Sequence, residues 1–174
     1  MSEIRDPSEG TYAVAPASIE LREIDRYAAR AILNNTAPDG VVWAEDYPTP
    51  GDLEAAELLL QRIREGDDVT PFGMYEIVEI ASNTVVGGIG FHRPPDKNGV
   101  LEIGYGLVPS RWDNGFGTEA VEEAVELAQR HGARRVTART LPTNAASRRV
   151  LEKAGFHFSE IVDGFAAYEI DISR

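Results

Sequence analysis

Apolar and polar positions alternate over residues 18–24, Ser-Ile-Glu-Leu-Arg-Glu-Ile, with the two-residue period of a half-buried strand. Asp25 then stands where a helix N-cap belongs, ahead of Tyr27, Ala28, Ala31 and Ile32. A single helix over 19–33 is the other reading of the same residues. Turn formers fill 34–51, and 40–51 is expected to be an exposed loop. Leu53, Ala56, Leu59, Leu60 and Ile63 make the apolar stripe of a second helix, which Gly66 ends. The centre reads as sheet: residues 74–80, 84–91 and 100–108 are rich in Val, Ile, Tyr and Phe, separated by turn signals, and predict an antiparallel meander. Residues 118–131 place Ala120, Val121, Ala124, Val125 and Ala128 on one helical face, with Glu119, Glu122, Glu123 and Glu126 toward its positive end, and stop at Gly132. A strand over 135–141, a short helix over 144–154 ended by Gly155, and a hairpin of 156–162 with 165–172 through Asp163-Gly164 complete the pattern. About seven strands and about four helices in this order predict a mixed α/β sandwich with a largely antiparallel central sheet.

Length and composition narrow the picture. The 174 residues suit one domain over 1–174, without repeats or a linker. A formal net charge of −12 argues against a nucleic-acid partner. With no cysteine, disulfides, thiolate metal sites and a cysteine nucleophile are excluded. The opening MSEIRDPSEG lacks a basic n-region and an apolar h-region, and no run reaches membrane-spanning length, so a cytosolic protein with no membrane partner is expected. The charge is uneven: residues 131–153 carry a local net of +5, and 39–68 a local net of −7. Either these are two solvated faces, or one receives an anionic ligand and the other a cation.

The stretch between Val108 and Thr118 is the most specific. A strand ends at Pro109, and Arg111-Trp112-Asp113-Asn114-Gly115-Phe116-Gly117 leads straight into a long helix. Gly115 and Gly117 let the backbone curl until several N–H groups converge on an anion, to which the helix adds its positive end. No Gly-Lys-Ser/Thr follows, and the spacing is not G-x-G-x-x-G. A purely structural Gly-rich turn is the alternative.

The region resembles the GNAT superfamily of acyl-CoA N-acyltransferases, whose loop has the form Q/R-x-x-G-x-G/A. Gly115 and Gly117 match it, with Trp112 in the Q/R place. The likeness runs from Leu101-Glu102-Ile103-Gly104-Tyr105-Gly106-Leu107-Val108-Pro109 through Thr118-Glu119-Ala120. It recurs in Asn144-Ala145-Ala146-Ser147-Arg148-Arg149-Val150-Leu151-Glu152-Lys153-Ala154-Gly155-Phe156, similar to the family's N-x-x-S-x-x-[VL]-x-x-x-x-G-F. The flavour is that of the branch containing the ribosomal-protein N-terminal acetyltransferases. Two departures stand out. Asp113 occupies a place where the branch usually has Gly, and Asn114 one that often holds Lys or Arg; the Asp113 carboxylate either weakens cofactor binding or points to solvent.

The resemblance implies direct acetyl transfer from acetyl-CoA to a primary amine, with acetyl-CoA as co-substrate, no metal, and a homodimer left open. It implies a cofactor site of Leu107, Val108, Trp112, Asn114, Gly115, Phe116, Gly117, Thr118, Asn144, Ser147 and Lys153. A backbone N–H near Leu107 and Val108 would serve the oxyanion. An amine of pKa near 10 is neutral only about one part in a thousand at pH 7, a deficit of roughly 4 kcal/mol, so a base is useful. Glu102 is the candidate base, acting through water, against the alternative of an outward carboxylate or ion-pair partner. Many relatives have Tyr where this chain has Leu151, so Ser147 is the candidate proton donor to the thiolate, against a hydroxyl bonded to its own helix. Tyr105 is a substitute acid or a core aromatic, and Asn144 a pantetheine ligand, an N-cap, or both. The histidines His92, His131 and His157 fit no relay. Asp39, Glu45, Asp46 and Asp52 could draw in an amine, and Trp43 and Tyr47 could pack on it. A non-catalytic acyl-CoA-binding or regulatory module of the same fold is the competing reading.

Overall fold

The computed structural model describes residues 15–173. The expectation for the opening ten residues, and the ends of the 1–174 domain assignment, lie outside the described residues.

Asp25 decides between the two readings of the first elements. Its Oδ1 accepts the N–H groups of Tyr27 and Ala28 at 2.9 and 2.8 Å, so strand β1 (Ile19–Glu23) stops and helix α1 (Arg26–Leu33) starts. The stripe of α1 differs from the expected one: Ala29 and Ile32 are buried, whereas Tyr27 is exposed. Helix α2 (Pro50–Arg64) begins at Thr49 with a reciprocal cap, Thr49 Oγ1 accepting from the Asp52 N–H and Asp52 Oδ2 from the Thr49 N–H. Gly66, at φ +87°, lies just past its end.

The expected meander is present as β3 (Met74–Glu79), β4 (Thr84–Phe91) and β5 (Val100–Leu107), each antiparallel to the next. Helix α3 (Phe116–Arg130) follows, then β6 (Arg135–Thr140), α4 (Ala145–Lys153), β7 (His157–Val162) and β8 (Phe165–Asp171). The sheet order is β1-β3-β4-β5-β6-β8-β7, with only β5 and β6 parallel along this path.

One strand was not foreseen. Residues 40–51 are not the exposed loop expected: β2 (Val42–Trp43) pairs parallel to the start of β4, and the Ala44 N–H donates to the Val85 carbonyl at 2.9 Å. Ala44 and Tyr47 are buried, and the rings of Trp43 and Tyr47 meet edge-on at 5.0 Å. These aromatics belong to the core and are not free to pack on a ligand.

The two faces of β5 serve different helices. A Cβ on Gly117 in α3 would stand 3.4 Å from Leu107 Cδ1, and the Tyr105 hydroxyl reaches Ser147 in α4. Leu101, Ile103, Tyr105 and Leu107 therefore face α3 and α4. By the alternation of a strand, Glu102, Gly104 and Gly106 face the other way, where α2 lies. Leu151, in the place of the family's Tyr, is fully buried.

Candidate active site

The parallel pair at the centre does not stay together. β5 and β6 are in register from Val100 opposite Arg135 to Ile103 opposite Ala138, and then part. The remainder of β5, Gly104 to Leu107, is paired only with β4. Hydrogen bonds from the His92 N–H to the Glu102 carbonyl and from the Val108 N–H to the Val86 carbonyl, both 2.9 Å, mark which residues bond toward β4. In an antiparallel ladder these alternate, so the backbone groups of Tyr105 and Leu107 point into the gap that β6 leaves. This corrects the oxyanion assignment: the Val108 N–H is consumed within the sheet and its residue is fully buried, which leaves Leu107, and with it Tyr105, to offer a free donor. The Leu107 carbonyl is taken by the Trp112 indole N–H at 2.9 Å.

The loop at the head of the gap is built from its own side chains. Asn114 Nδ2 donates to the carbonyls of Arg111 and Trp112 at 3.2 and 3.1 Å, so the side chain shapes the turn instead of reaching outward. Asp113 and Gly115 both take left-handed backbone, at φ +61° and +80°. Gly115 occupies the N-cap of α3 with no side-chain cap, so the first N–H groups of the helix, at Phe116, Gly117 and Thr118, are open to an anion. Phe116 itself is buried and contributes backbone only. Asp46, expected to draw in an amine, instead holds the turn before this loop: its carboxylate accepts the Ser110 N–H at 2.9 Å and the Ser110 hydroxyl at 2.7 Å, which lowers its pKa.

Helix α4 closes one side of the gap. Asn144 caps it by accepting the Ser147 N–H at 3.0 Å. The Ser147 hydroxyl lies 2.9 Å from the Tyr105 hydroxyl, whose pKa burial pushes up to about 12. The two alternatives for the proton donor are thus one hydrogen-bonded pair. Val150 packs on the first turn of α3 beside Gly117, and Lys153, one turn further along, is exposed on the adjoining side. The +5 stretch as a whole does not converge here. Arg135 pairs with Asp171 and Glu169, Arg139 with Glu102, and Arg148 bonds the Tyr168 hydroxyl and the Pro142 carbonyl.

On the opposite face of β5 is a cleft of about 330 Å³ between α2 and the sheet. Its floor has no side chains: Gly88 faces Gly106 and Gly90 faces Gly104 across β4 and β5, and all four line it. Asp52 and Arg62 of α2, both buried, line it too, with Met74, Ala55 and Leu59 between them. Burial raises the pKa of Asp52, against the hydrogen bonds from Thr49. Glu102 does not fit the base predicted for it. Contact with His92 and a fork from Arg139, with Nε to Oε1 at 2.8 Å and Nη2 to Oε2 at 3.2 Å, hold it at about 2. Such a carboxylate keeps its charge and takes no proton at neutral pH. Sequence reasoning named Asp52 among four carboxylates that could draw in an amine but set His92 aside; only the fold of α2 over β4 and the β4–β5 pairing brings the two to one cleft.

The profile of the Acetyltransferase (GNAT) domain matches residues 18–157. The chain belongs to the GNAT acetyltransferase family. The N-acetyltransferase YjdG of Bacillus subtilis, itself uncharacterized, is 31% identical over 112 residues, 64% of this chain and 67% of that one. RimL, a ribosomal L7/L12 alpha-N-protein acetyltransferase solved with coenzyme A, superposes with a TM-score of 0.64 at 19% identity, covering 90% of this chain and 96% of its own. Mycobacterium smegmatis RimJ, solved with a CoA disulfide, gives 0.61 at 19% identity over 88% and 82%. At these identities the two structures show a shared fold. Membership makes this GNAT chain an acyltransferase of a family that uses acetyl-CoA and acetylates amines. Among the described residues no helix is long and apolar enough to cross a membrane, and no group of three or more acidic or histidine side chains could hold a metal ion.

Proposed function

We propose that this protein transfers an acetyl group from acetyl-CoA directly to a primary amine, a protein N-terminus or a small molecule, through a tetrahedral intermediate. The observation that carries the reading is the position of β5 between two openings: a gap with free backbone donors on one side, and a glycine-floored cleft with a buried carboxylate on the other. Acetyl-CoA supplies the activated acyl group. The residues present suit it: the open N–H groups of Phe116, Gly117 and Thr118 and the positive end of α3 meet the pyrophosphate, and Lys153 adds charge nearby. Trp112 and Asn114 hold the loop in shape. The Tyr105 and Leu107 N–H groups are the donors within the gap, where a fixed donor to a developing oxyanion is worth about 3 kcal/mol. The Ser147 hydroxyl, backed by Tyr105, donates a hydrogen bond to the departing sulfur, and Asn144 orients that end of α4. With no cysteine in the sequence, an acyl-cysteine route is absent, which favours direct attack of the amine on the thioester.

The test is thiol release from acetyl-CoA with a panel of amines: peptides beginning with Ser or Ala, polyamines, amino acids and aminoglycosides, each product identified by mass spectrometry. Stoichiometric thiol and an acetylated amine are expected. Coenzyme A binding without release from any amine would instead establish the non-catalytic module.

A further inference from the structure

We propose that the acceptor nitrogen is held over the glycine floor between Asp52 and His92, with Asp52 anchoring the ammonium and His92, set in place by Glu102 and Arg139, receiving its proton. This deepens the acetyltransferase reading and rests on it.

The geometry begins with Asp52. Its Oδ2 is occupied by the Thr49 N–H at 2.8 Å and the Thr49 hydroxyl at 2.7 Å. Its Oδ1 lies over Gly88, 2.6 Å from where a Cβ on that residue would stand. A methyl on Gly88 would displace the carboxylate, so the bare backbone there is what lets the oxygen reach the floor. The residue is 3% exposed, and what it shows is directed into the cleft. A buried carboxylate with one oxygen tied and one open is a seat for a cation.

His92 stands diagonally across. Its Nδ1 is 3.7 Å from Glu102 Oε1, and its Nε2 is 3.1 Å from the Cβ position of Gly104. The ring therefore spans from the ion pair to the floor. With Nδ1–H assigned toward the carboxylate, the lone pair of Nε2 faces the cleft. Arg139 grips both oxygens of Glu102, which fixes the carboxylate that orients the ring. Gly88 and Gly104 are diagonal neighbours on one face of the β4–β5 pair, roughly 7 Å apart, so Asp52 and His92 reach the same stretch of bare floor. The Tyr105 N–H, between Gly104 and Gly106, lies at the edge of the same strand facing the gap, so the nitrogen reaches the acyl carbon around the open edge of β5, where β6 has parted from it.

The protons balance. The ammonium gives one of its three protons to His92 Nε2 and thence to water. The free amine forms the C–N bond to the thioester carbon, the C–S bond breaks, a second proton ends on the thiol, and the third stays on the amide. Besides Glu102 and Arg139, the charged groups around His92 are Arg62, Glu54 and Asp52 of α2, which line the cleft with it, and Arg93, which is 4.0 Å from Asp67. The acceptor class that fits is an unhindered primary ammonium with a slender stem, since the charged groups converge on the glycine floor and the walls at Ala55, Leu59 and Met74 are apolar.

The experiment has a binding arm and a turnover arm. In the first, n-butylamine is titrated into the protein with coenzyme A while the His92 imidazole is followed by NMR, with n-butanol as the uncharged comparison. The amine is expected to shift the His92 signals and the alcohol not; in Asp52→Asn the amine affinity falls at least tenfold, while Glu57→Gln, exposed on α2 outside the cleft, behaves as wild type. In the second, using the best amine of the panel, His92→Ala lowers kcat about 100-fold and added imidazole restores part of it. Glu102→Gln lowers kcat with the acetyl-CoA KM unchanged and displaces the His92 ring signals in the NMR spectrum, because the carboxylate no longer holds the ring in place. A purely structural Glu102 would lower the rate and leave the His92 ring signals in place. Full kcat in His92→Ala, unmoved His92 signals in Glu102→Gln, or wild-type n-butylamine binding in Asp52→Asn, overturns the proposal. Should no amine release thiol even from wild type, the acetyltransferase reading fails, and the NMR arm still decides whether the two side chains bracket an ammonium.

Discussion

Replacing Gly106 by alanine should make the protein more stable and less active at once. A Cβ at this position meets nothing within 4 Å, and the backbone is not in the left-handed region, so the methyl enters without strain. Glycine inside a strand costs roughly 0.5–1 kcal/mol relative to alanine through backbone entropy, so the variant is expected to gain about that much, or about 1–4 °C in Tm for a domain of this size. The same methyl stands on the floor of a cleft of only about 330 Å³, where the amine must approach β5. Displacing a reacting nitrogen by about 1 Å can cost 100-fold, so kcat/KM for the amine should fall by about that factor. Coenzyme A affinity should be unchanged, because its side of β5 is untouched. The neighbouring glycines sharpen the comparison. A Cβ on Gly87 would collide with the Gly106 carbonyl, which cannot move aside, and should destabilise the fold; one on Gly104 meets only the His92 ring, the end of a movable side chain. Calorimetry and steady-state kinetics on the three variants check the set. A Gly106→Ala protein that melts more than about 2 °C lower, or that keeps its amine kcat/KM, refutes the assignment of this face.

Further outcomes follow from single contacts. Trp112→Phe removes the indole donor to the Leu107 carbonyl; being half exposed, it should cost no more than about 1 kcal/mol in stability, but weaken coenzyme A binding severalfold in a calorimetric titration. Asp46→Ala frees the turn at Ser110, and steady-state kinetics should show a raised acetyl-CoA KM with an unchanged amine KM, the reverse of what an amine-steering carboxylate gives. Glu102 titrates at about 2 in the fold against an ordinary 4.5, so its stabilising contribution is complete above about 4.5 and lost as pH falls toward 2. Glu102→Gln should accordingly melt below wild type at pH 7, with the difference closing by about pH 2 in a melting series.

What could be read along the chain was whatever depends on neighbours in sequence. Asp25 and Asn144 cap helices with atoms two or three residues away, and the meander follows from its alternation and turns. The loop before α3 was legible for the same reason, since Asn114 and the left-handed residues act within a few positions. What the sequence hid depends on distant partners. A two-residue strand such as β2 carries no period, and its pairing to β4 exists only once Trp43 and Tyr47 pack inward. Charge counts placed six cations together, but Arg135, Arg139 and Arg148 each find a partner on another element. Glu102 could be read as a base or as an ion-pair partner, and what decides for the pair stayed hidden because Arg139 lies 37 positions away, across a parallel pairing that spacing does not reveal.

The hydrogen bond from Trp112 to Leu107 also gives the protein an optical reporter. Only two tryptophans occur in the sequence. Trp43, in β2, has its indole N–H shut away from solvent and partners, while Trp112 is more than half exposed at the head of the gap. The two should emit at different wavelengths, and a ligand settling against the loop will change the red component alone. Arrival of the acyl donor can thus be timed by intrinsic fluorescence, with the buried ring as an internal reference and no label attached.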